Sequence, residues 1–323
     1  MRPSGGRPAR GRRPARTRAT RARTAVPTAV LTAAPTASVA AARTASTVAA
    51  IAVTSAVALV ATAGVVIVRK AAALSPTPSF DPAPGLEPVM LDGLPGWVRP
   101  GGDGSRWAVF LPGLGSHPLR HQETAGAFVD RGCTVLFAAH SARHPARRHG
   151  FGVPEQHEAL AWLRFAAARG ATEVVLLGWS FGASLWLRVL AGGPLPVRVR
   201  SLVLTGPLTD WDAAIGHGAG GGPLGRAVAA VARGTLALPV LSRLAGQRRP
   251  VRIGMPVIPA ASGVPPLLVV HGDADRTVPL AASERLVAGW PGRATLRRVN
   301  GAQHGGERDA DPTGWLDSAV GAV

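Results

Sequence analysis

Glu173-Val174-Val175-Leu176-Leu177-Gly178-Trp179-Ser180-Phe181-Gly182-Ala183-Ser184-Leu185 is the most informative stretch of the chain. A short apolar run leads directly into Gly-x-Ser-x-Gly, and a second apolar run opens at Phe181. The five-residue pattern alone is weak in a chain with 40 glycines. Its setting gives it weight, because strand, sharp turn and helix in that order make a nucleophile elbow. Such a turn strains the serine and projects its Oγ above the sheet. Gly178 and Gly182, lacking Cβ atoms, let strand and helix approach closely. The plainer alternative is a tight glycine turn that carries a structural serine.

Outward from this point, short apolar runs alternate with helical segments. Strands are expected at 107–111, 134–139, 173–177, 201–205, 267–271 and 295–299. Helices are expected at 122–131, 154–169, 181–191 and 281–288. Alternation of this kind predicts an α/β fold, a mostly parallel sheet with helices on both faces. Residues 213–263 break the pattern with a glycine run and several prolines. They read as a small cap or a long active-site loop inserted in the domain.

A serine hydroxyl is a poor nucleophile near neutral pH. It needs a general base, and the base needs a group that fixes its tautomer. The order Ser, then acid, then His is met downstream. Asp275 stands in His271-Gly272-Asp273-Ala274-Asp275, on the loop after the strand at 267–271. His304 stands in Gly301-Ala302-Gln303-His304-Gly305-Gly306, after the last strand. Loops at the carboxyl ends of parallel strands are where open α/β sheets collect their chemistry. Asp275 as a helix-capping carboxylate and His304 as a solvated loop histidine are the plain alternatives. Asp210, after the strand at 201–205, is a second candidate acid. His140, His144, His149 and His157 are numerous, but lack a companion carboxylate pattern and alternate with arginines, so no metal is expected there. Cys133 is the only cysteine and precludes an intrachain disulfide; beside an apolar run, it reads as a small buried thiol.

Residues 105–323 resemble the α/β-hydrolase superfamily, and most closely its bacterial esterases and serine-aminopeptidase-like hydrolases. Gly178-Trp179-Ser180-Phe181-Gly182-Ala183, the segment from His271 to Pro279 and the segment from Gly301 to Gly306 carry the resemblance. It implies Ser180 as nucleophile, Asp275 as acid and His304 as base. It implies the backbone N–H groups of Phe181 and Leu114 as the oxyanion hole. Many members carry His-Gly where this chain has Pro112-Gly113, so the loop that holds Leu114 departs from the pattern. The implied activity is cleavage of an ester, thioester or amide of a small acyl substrate through an acyl-enzyme, with no cofactor. A membrane-anchored binding protein that keeps the fold without catalysis is the alternative, because fold alone does not establish activity.

The net charge of +18 is concentrated at the N-terminus. Residues 1–80 hold twelve basic residues and no acid, whereas the rest is nearly balanced with 24 basic and 18 acidic residues. No nucleic-acid motif accompanies this charge, and no nucleic-acid partner is expected. Residues 1–43 read as a disordered Arg-rich tail. Residues 44–68 contain neither charge nor proline, enough to span the ~30 Å hydrocarbon core, and Arg69 and Lys70 close the run. A transmembrane signal anchor is expected there, with a cleaved signal peptide or an Ala-rich disordered tail as alternatives. Residues 69–104 read as a Pro-rich linker. The expected topology places residues 1–43 in the cytoplasm and the hydrolase domain outside. The two basic residues after the run mildly oppose that orientation, and nine arginines within residues 2–23 favour it.

Overall fold

The structure is a computed structural model that describes residues 36–74, 77–142, 148–254, 256, 258 and 264–323. Most of the tail expected to be disordered, and His144 with its neighbouring arginines, lie outside the described residues. The chain divides into two units, residues 1–53 and 54–323. In the first unit the described structure is the beginning of helix α1, Thr36–Ala71. Residues Ala41–Ala71 of this helix are long and apolar enough to cross a membrane, with a mean hydropathy of 2.5 over an 18-residue window.

The second unit holds one eight-stranded sheet. Its strands are β1 (Glu87–Leu91), β2 (Leu94–Arg99), β3 (Arg106–Leu111), β4 (Thr134–Ala138), β5 (Glu173–Trp179), β6 (Arg198–Thr205), β7 (Leu267–Gly272) and β8 (Ala294–Val299). Their order across the sheet is β1-β2-β4-β3-β5-β6-β7-β8. The first two pairings are antiparallel and the remaining five are parallel. Helices α2 (Ala125–Val129), α3 (Glu155–Ala168), α4 (Phe181–Ala191), α8 (Leu280–Ala288), α9 (Glu307–Ala310) and α10 (Pro312–Val320) cover it. The segment expected as a helix at 122–131 is instead a 3-10 turn, Pro118–Thr124, followed by the short α2.

Alternation along the strands supplies two cores. Trp107, Val109 and Leu111 of β3 join Leu176 of β5, Trp162 and Trp186 on one face. Ala108 and Phe110 join Val175, Leu177 and Trp315 on the other. Buried indoles carry a donor that must be paired. Trp162 Nε1–H donates to Ala139 O at 2.8 Å, and Trp186 Nε1–H to Leu177 O at 2.9 Å.

One segment differs from expectation, and the inserted segment takes a helical form. The stretch 69–104 is not only a linker, since β1 and β2 lie within it and complete the sheet. Their hairpin turns at Asp92-Gly93, with φ of 50° and 77°, the left-handed pair that a two-residue turn requires. Pro88 sits in the edge strand β1, where a missing N–H is tolerated. The segment 213–263 carries helices: α5 (Trp211–Gly218), α6 (Gly222–Ala237) and α7 (Pro239–Leu244). The end of α1 packs against the second of these. Gly64, Val68 and Ala72 are buried, and a Cβ on Gly64 would collide with Thr235 Oγ1 of α6.

Candidate active site

Five segments end at one edge of the sheet because the parallel register aligns them. Leu111 of β3 pairs with Gly178 of β5, Trp179 with Thr205 of β6, and Gly272 of β7 with Val299 of β8. The loops that follow these residues therefore emerge together.

Ser180 occupies the turn between β5 and α4 with φ 47° and ψ −107°. It is one of three non-glycine residues with positive φ among the described residues. Strain of this kind persists only where surrounding contacts fix it. Here Ser180 N–H donates to Thr205 O at 2.9 Å, and Ser180 O accepts from Leu208 N–H at 3.0 Å. The flanking glycines are sterically required. A Cβ on Gly178 would lie 2.7 Å from Ala183 N, and one on Gly182 would run into Leu111 O.

The structure brings Ser180, Asp275 and His304 together. His304 Nδ1 lies 2.7 Å from Asp275 Oδ2, and His304 Nε2 lies 2.8 Å from Ser180 Oγ. A carboxylate only accepts, so Nδ1 carries the proton and Nε2 is left to accept from the Ser180 hydroxyl. Asp275 also accepts from Thr277 N–H at 2.7 Å and Val278 N–H at 2.8 Å through Oδ1. Burial pushes its carboxyl up, but hydrogen bonds from His271 and His304, the charge at His304 and the Val278 N–H outweigh that. The net result is a carboxyl held well below the usual range.

His271 was not among the expected site residues. Its side chain is fully buried, and Nε2 lies 3.2 Å from both Asp275 Oδ2 and Val278 O. A carbonyl cannot donate, so Nε2 bears the proton, and Nδ1 accepts from Ser283 Oγ–H at 2.6 Å. The imidazole thus braces Asp275 from behind. Glu307 is the other unexpected neighbour. It is fully buried, its carboxyl oxygens have no hydrogen-bond partner among the described residues, and a carboxyl oxygen lies within 4.8 Å of an Asp275 carboxylate oxygen and a His304 ring nitrogen. Burial raises its pKa. Neither residue advertised itself in sequence, although His271 stands four residues before Asp275.

Other sequence candidates lie elsewhere. Asp210 caps α5, accepting from Asp212 N–H at 2.9 Å and Ala213 N–H at 3.3 Å, with Arg285 3.8 Å away. His140 Nε2 lies 3.0 Å from Pro112 O, and His149 Nε2 donates to Ala71 O at 2.9 Å. Cys133 is buried, and burial pushes its thiol up.

A cavity of about 510 Å³ opens above Ser180 and His304. Pro112, Leu114, Trp179, Trp211 and Ile215 contribute largely apolar walls. His121 adds an imidazole stacked on Trp179 with centroids 4.3 Å apart. Burial, then the charges of Arg120 and Arg308, lower its pKa to about 3, so it is a neutral wall. Leu114 lies in the loop after β3 beside Ser180, and its N–H donates to no backbone carbonyl among the described residues. Phe181 begins α4, where first-turn N–H groups have no intrahelical acceptor.

No protein-family model matches the chain, and no curated protein matches it. Solved structures do. An esterase of Thermogutta terrifontis, determined with propionate bound, is 21% identical, with a TM-score of 0.52 over 73% of this chain and 92% of that one. An esterase of Pyrococcus furiosus is 15% identical, with a TM-score of 0.53 over 77% of this chain and 98% of that one. At these identities the likeness speaks for architecture. Together with the strand order and the mostly parallel sheet, it shows that the chain has the α/β-hydrolase fold.

Proposed function

We propose that the chain is a serine hydrolase that cleaves an ester, thioester or amide of a small acyl substrate through an acyl-enzyme. The observation that carries this reading is the continuous line from Asp275 through His304 to Ser180, at 2.7 and 2.8 Å, ending on a serine held at φ 47°.

In the first half-reaction Ser180 Oγ bonds to the acyl carbon while His304 Nε2 takes the hydroxyl proton. Asp275 stabilises the imidazolium so formed. His304 then gives that proton to the leaving oxygen, sulfur or nitrogen as its bond to the acyl carbon breaks. A water molecule follows the same route, losing a proton to His304 as its oxygen attacks. Collapse of that adduct returns the proton to Ser180 and releases a carboxylic acid. The backbone N–H groups of Phe181 and Leu114 take up the oxyanion in both halves, each worth about 3 kcal/mol.

The apolar walls of the cavity suit an acyl chain, and the likeness to esterases makes esters the first substrates to try. In the same reading α1 is a single-pass anchor, with residues 1–43 in the cytoplasm and the hydrolase domain outside. Its length and hydropathy support the anchor. Ser180→Ala tests the chemistry: turnover of a model ester should fall by several orders of magnitude and fluorophosphonate labelling should vanish, with folding unchanged. Equal turnover in mutant and wild type removes Ser180 as nucleophile.

A further inference from the structure

Helix α1 is partitioned along its length. Every side chain from 41 to 60 is exposed, whereas residues 61–72 turn a buried face toward the domain. The exposed residues 44–60 carry no charge and extend ~25 Å, close to the thickness of a hydrocarbon core. The surplus turns are docked on protein. Gly64 packs on Val231 and Thr235 of α6, and Arg69 O and Ala71 O accept from Arg148 and His149. Helix α6 therefore sits against α1 just where a bilayer-length stretch ends.

The cap around that contact is unusual in two respects. Leu224, Leu238, Val240 and Leu244 are between 54% and 69% exposed. Val240 and Leu244 are one turn apart on the same face of α7, and Leu224 lies on the same stripe of α6 as Val231 and Thr235. The cap is also basic throughout. Residues 213–263 contain six arginines and no acid, and all six arginines are exposed. Arg233 pairs with Asp212 outside the cap; Arg226, Arg243, Arg248, Arg249 and Arg252 have no ion-pair partner among the described residues. Exposed aliphatic side chains interspersed with unpaired arginines fit a surface of anionic lipid headgroups over an acyl layer. The active-site cavity opens beside the docked end of α1, because Ala71 and, from α5, Ile215 and Gly218 line it.

We propose that the α6–α7 cap rests on anionic lipid headgroups of the leaflet from which α1 emerges toward the domain, and presents Ser180 to acyl esters carried in that bilayer. The substrate part rests on the serine-hydrolase reading above, and the placement of the cap rests on the anchor. The test uses the full chain in vesicles of phosphatidylcholine with phosphatidylglycerol. A fluorophore is attached at Leu224→Cys, Val240→Cys or, as a reference, Arg198→Cys, which is exposed at the opposite edge of the sheet; native Cys133 is buried and unlabelled. A headgroup nitroxide lipid should quench the first two labels several-fold more than the third. Replacing Arg243, Arg248 and Arg249 with Gln, or omitting phosphatidylglycerol, should remove most of the difference. In parallel, serine at Leu224, Val240 and Leu244 should lower turnover of a bilayer-resident ester about tenfold and leave a water-soluble ester unaffected. Equal quenching at all three positions in protein that floats with the vesicles, as a cap covered by another protein would give, overturns the proposal. So does failure of the full chain to float. Preferential quenching without hydrolysis of either ester would support the docking surface while removing the serine-hydrolase reading.

Discussion

Asp275 and Asp210 are both carboxylates on loops after parallel strands, yet their surroundings differ. Asp210 accepts from two N–H groups at the start of α5 and faces Arg285, the environment of a helix cap. Asp275 accepts from two N–H groups and two imidazoles while buried, and one imidazole touches Ser180. Asp275→Asn should therefore lower kcat by about 10⁴, since an amide favours the wrong tautomer of the base. Asp210→Asn should change stability by only a few tenths of a kcal/mol, because an amide oxygen caps a helix as well as a carboxylate does, and should cost little activity. Comparable activity losses from the two variants would transfer the acid role. Glu307 poses the reverse problem, a buried carboxyl without a hydrogen bond among the described residues. Burial raises its pKa, so its cost to the fold is absent at acid pH and grows as pH rises through its folded-state value. Glu307→Gln should consequently raise the denaturation midpoint progressively with pH while retaining most ester turnover. A midpoint difference that stays constant with pH would mean that the carboxyl does not titrate in this way.

At the scale of elements, the sequence exposed what local chemistry controls and hid what tertiary contacts control. The elbow was legible because its glycines, its apolar strand and its apolar helix are contiguous. Strand β5 ends at Trp179 and α4 begins at Phe181, and Ser180 between them is the strained turn. The loops bearing Asp275 and His304 were legible for the same reason, each following a short apolar run. The hairpin of β1 and β2 was missed although Asp92-Gly93 is a strong turn signal, because neighbouring prolines made the stretch read as a linker. Helices in the inserted segment were hidden by Gly216 and the glycines at 218 and 220–222, which fall at helix ends. The brace from His271 to Asp275 depends on α8 bringing Ser283 to the imidazole, a contact with no local signature. The steric reading of the elbow is itself testable. Gly182→Ala puts a methyl group into the carbonyl of Leu111, which belongs to an adjacent strand that has no room to retreat. A loss of about 2–3 kcal/mol is expected, together with a fall in kcat as Ser180 is displaced. Unchanged stability and activity would show that the turn relaxes at little cost.

For the molecule as a whole, two buried imidazoles with lowered pKa values make stability sensitive to acid. His149 is 1% exposed, and its neutral form satisfies both ring nitrogens: Nε2–H donates to Ala71 O at 2.9 Å, and Nδ1 accepts from Phe151 N–H at 3.1 Å. Protonation would set a second ring proton against that N–H. Burial lowers its pKa to about 4 despite the Ala71 carbonyl, and burial with nearby arginines lowers that of His121 to about 3. A depressed folded-state value means that stability is fully present above the unfolded value of about 6.5 and is lost as pH falls toward the folded one. For His149 the difference amounts to about 3 kcal/mol across that window. This lies above the range in which Asp275 gains its proton, because that carboxyl is held well below its usual value. The contact also ties the domain to the end of α1, so its loss loosens the docked turns together with the loop that carries Phe151. His149→Gln supplies an amide that can donate to Ala71 and accept from Phe151 but does not titrate. In detergent micelles, the slope of unfolding free energy against pH near pH ~5 should fall in this variant by about 1.4 kcal/mol per pH unit, the equivalent of one proton. An unchanged slope would place the proton uptake elsewhere, with His121 as the next residue to replace.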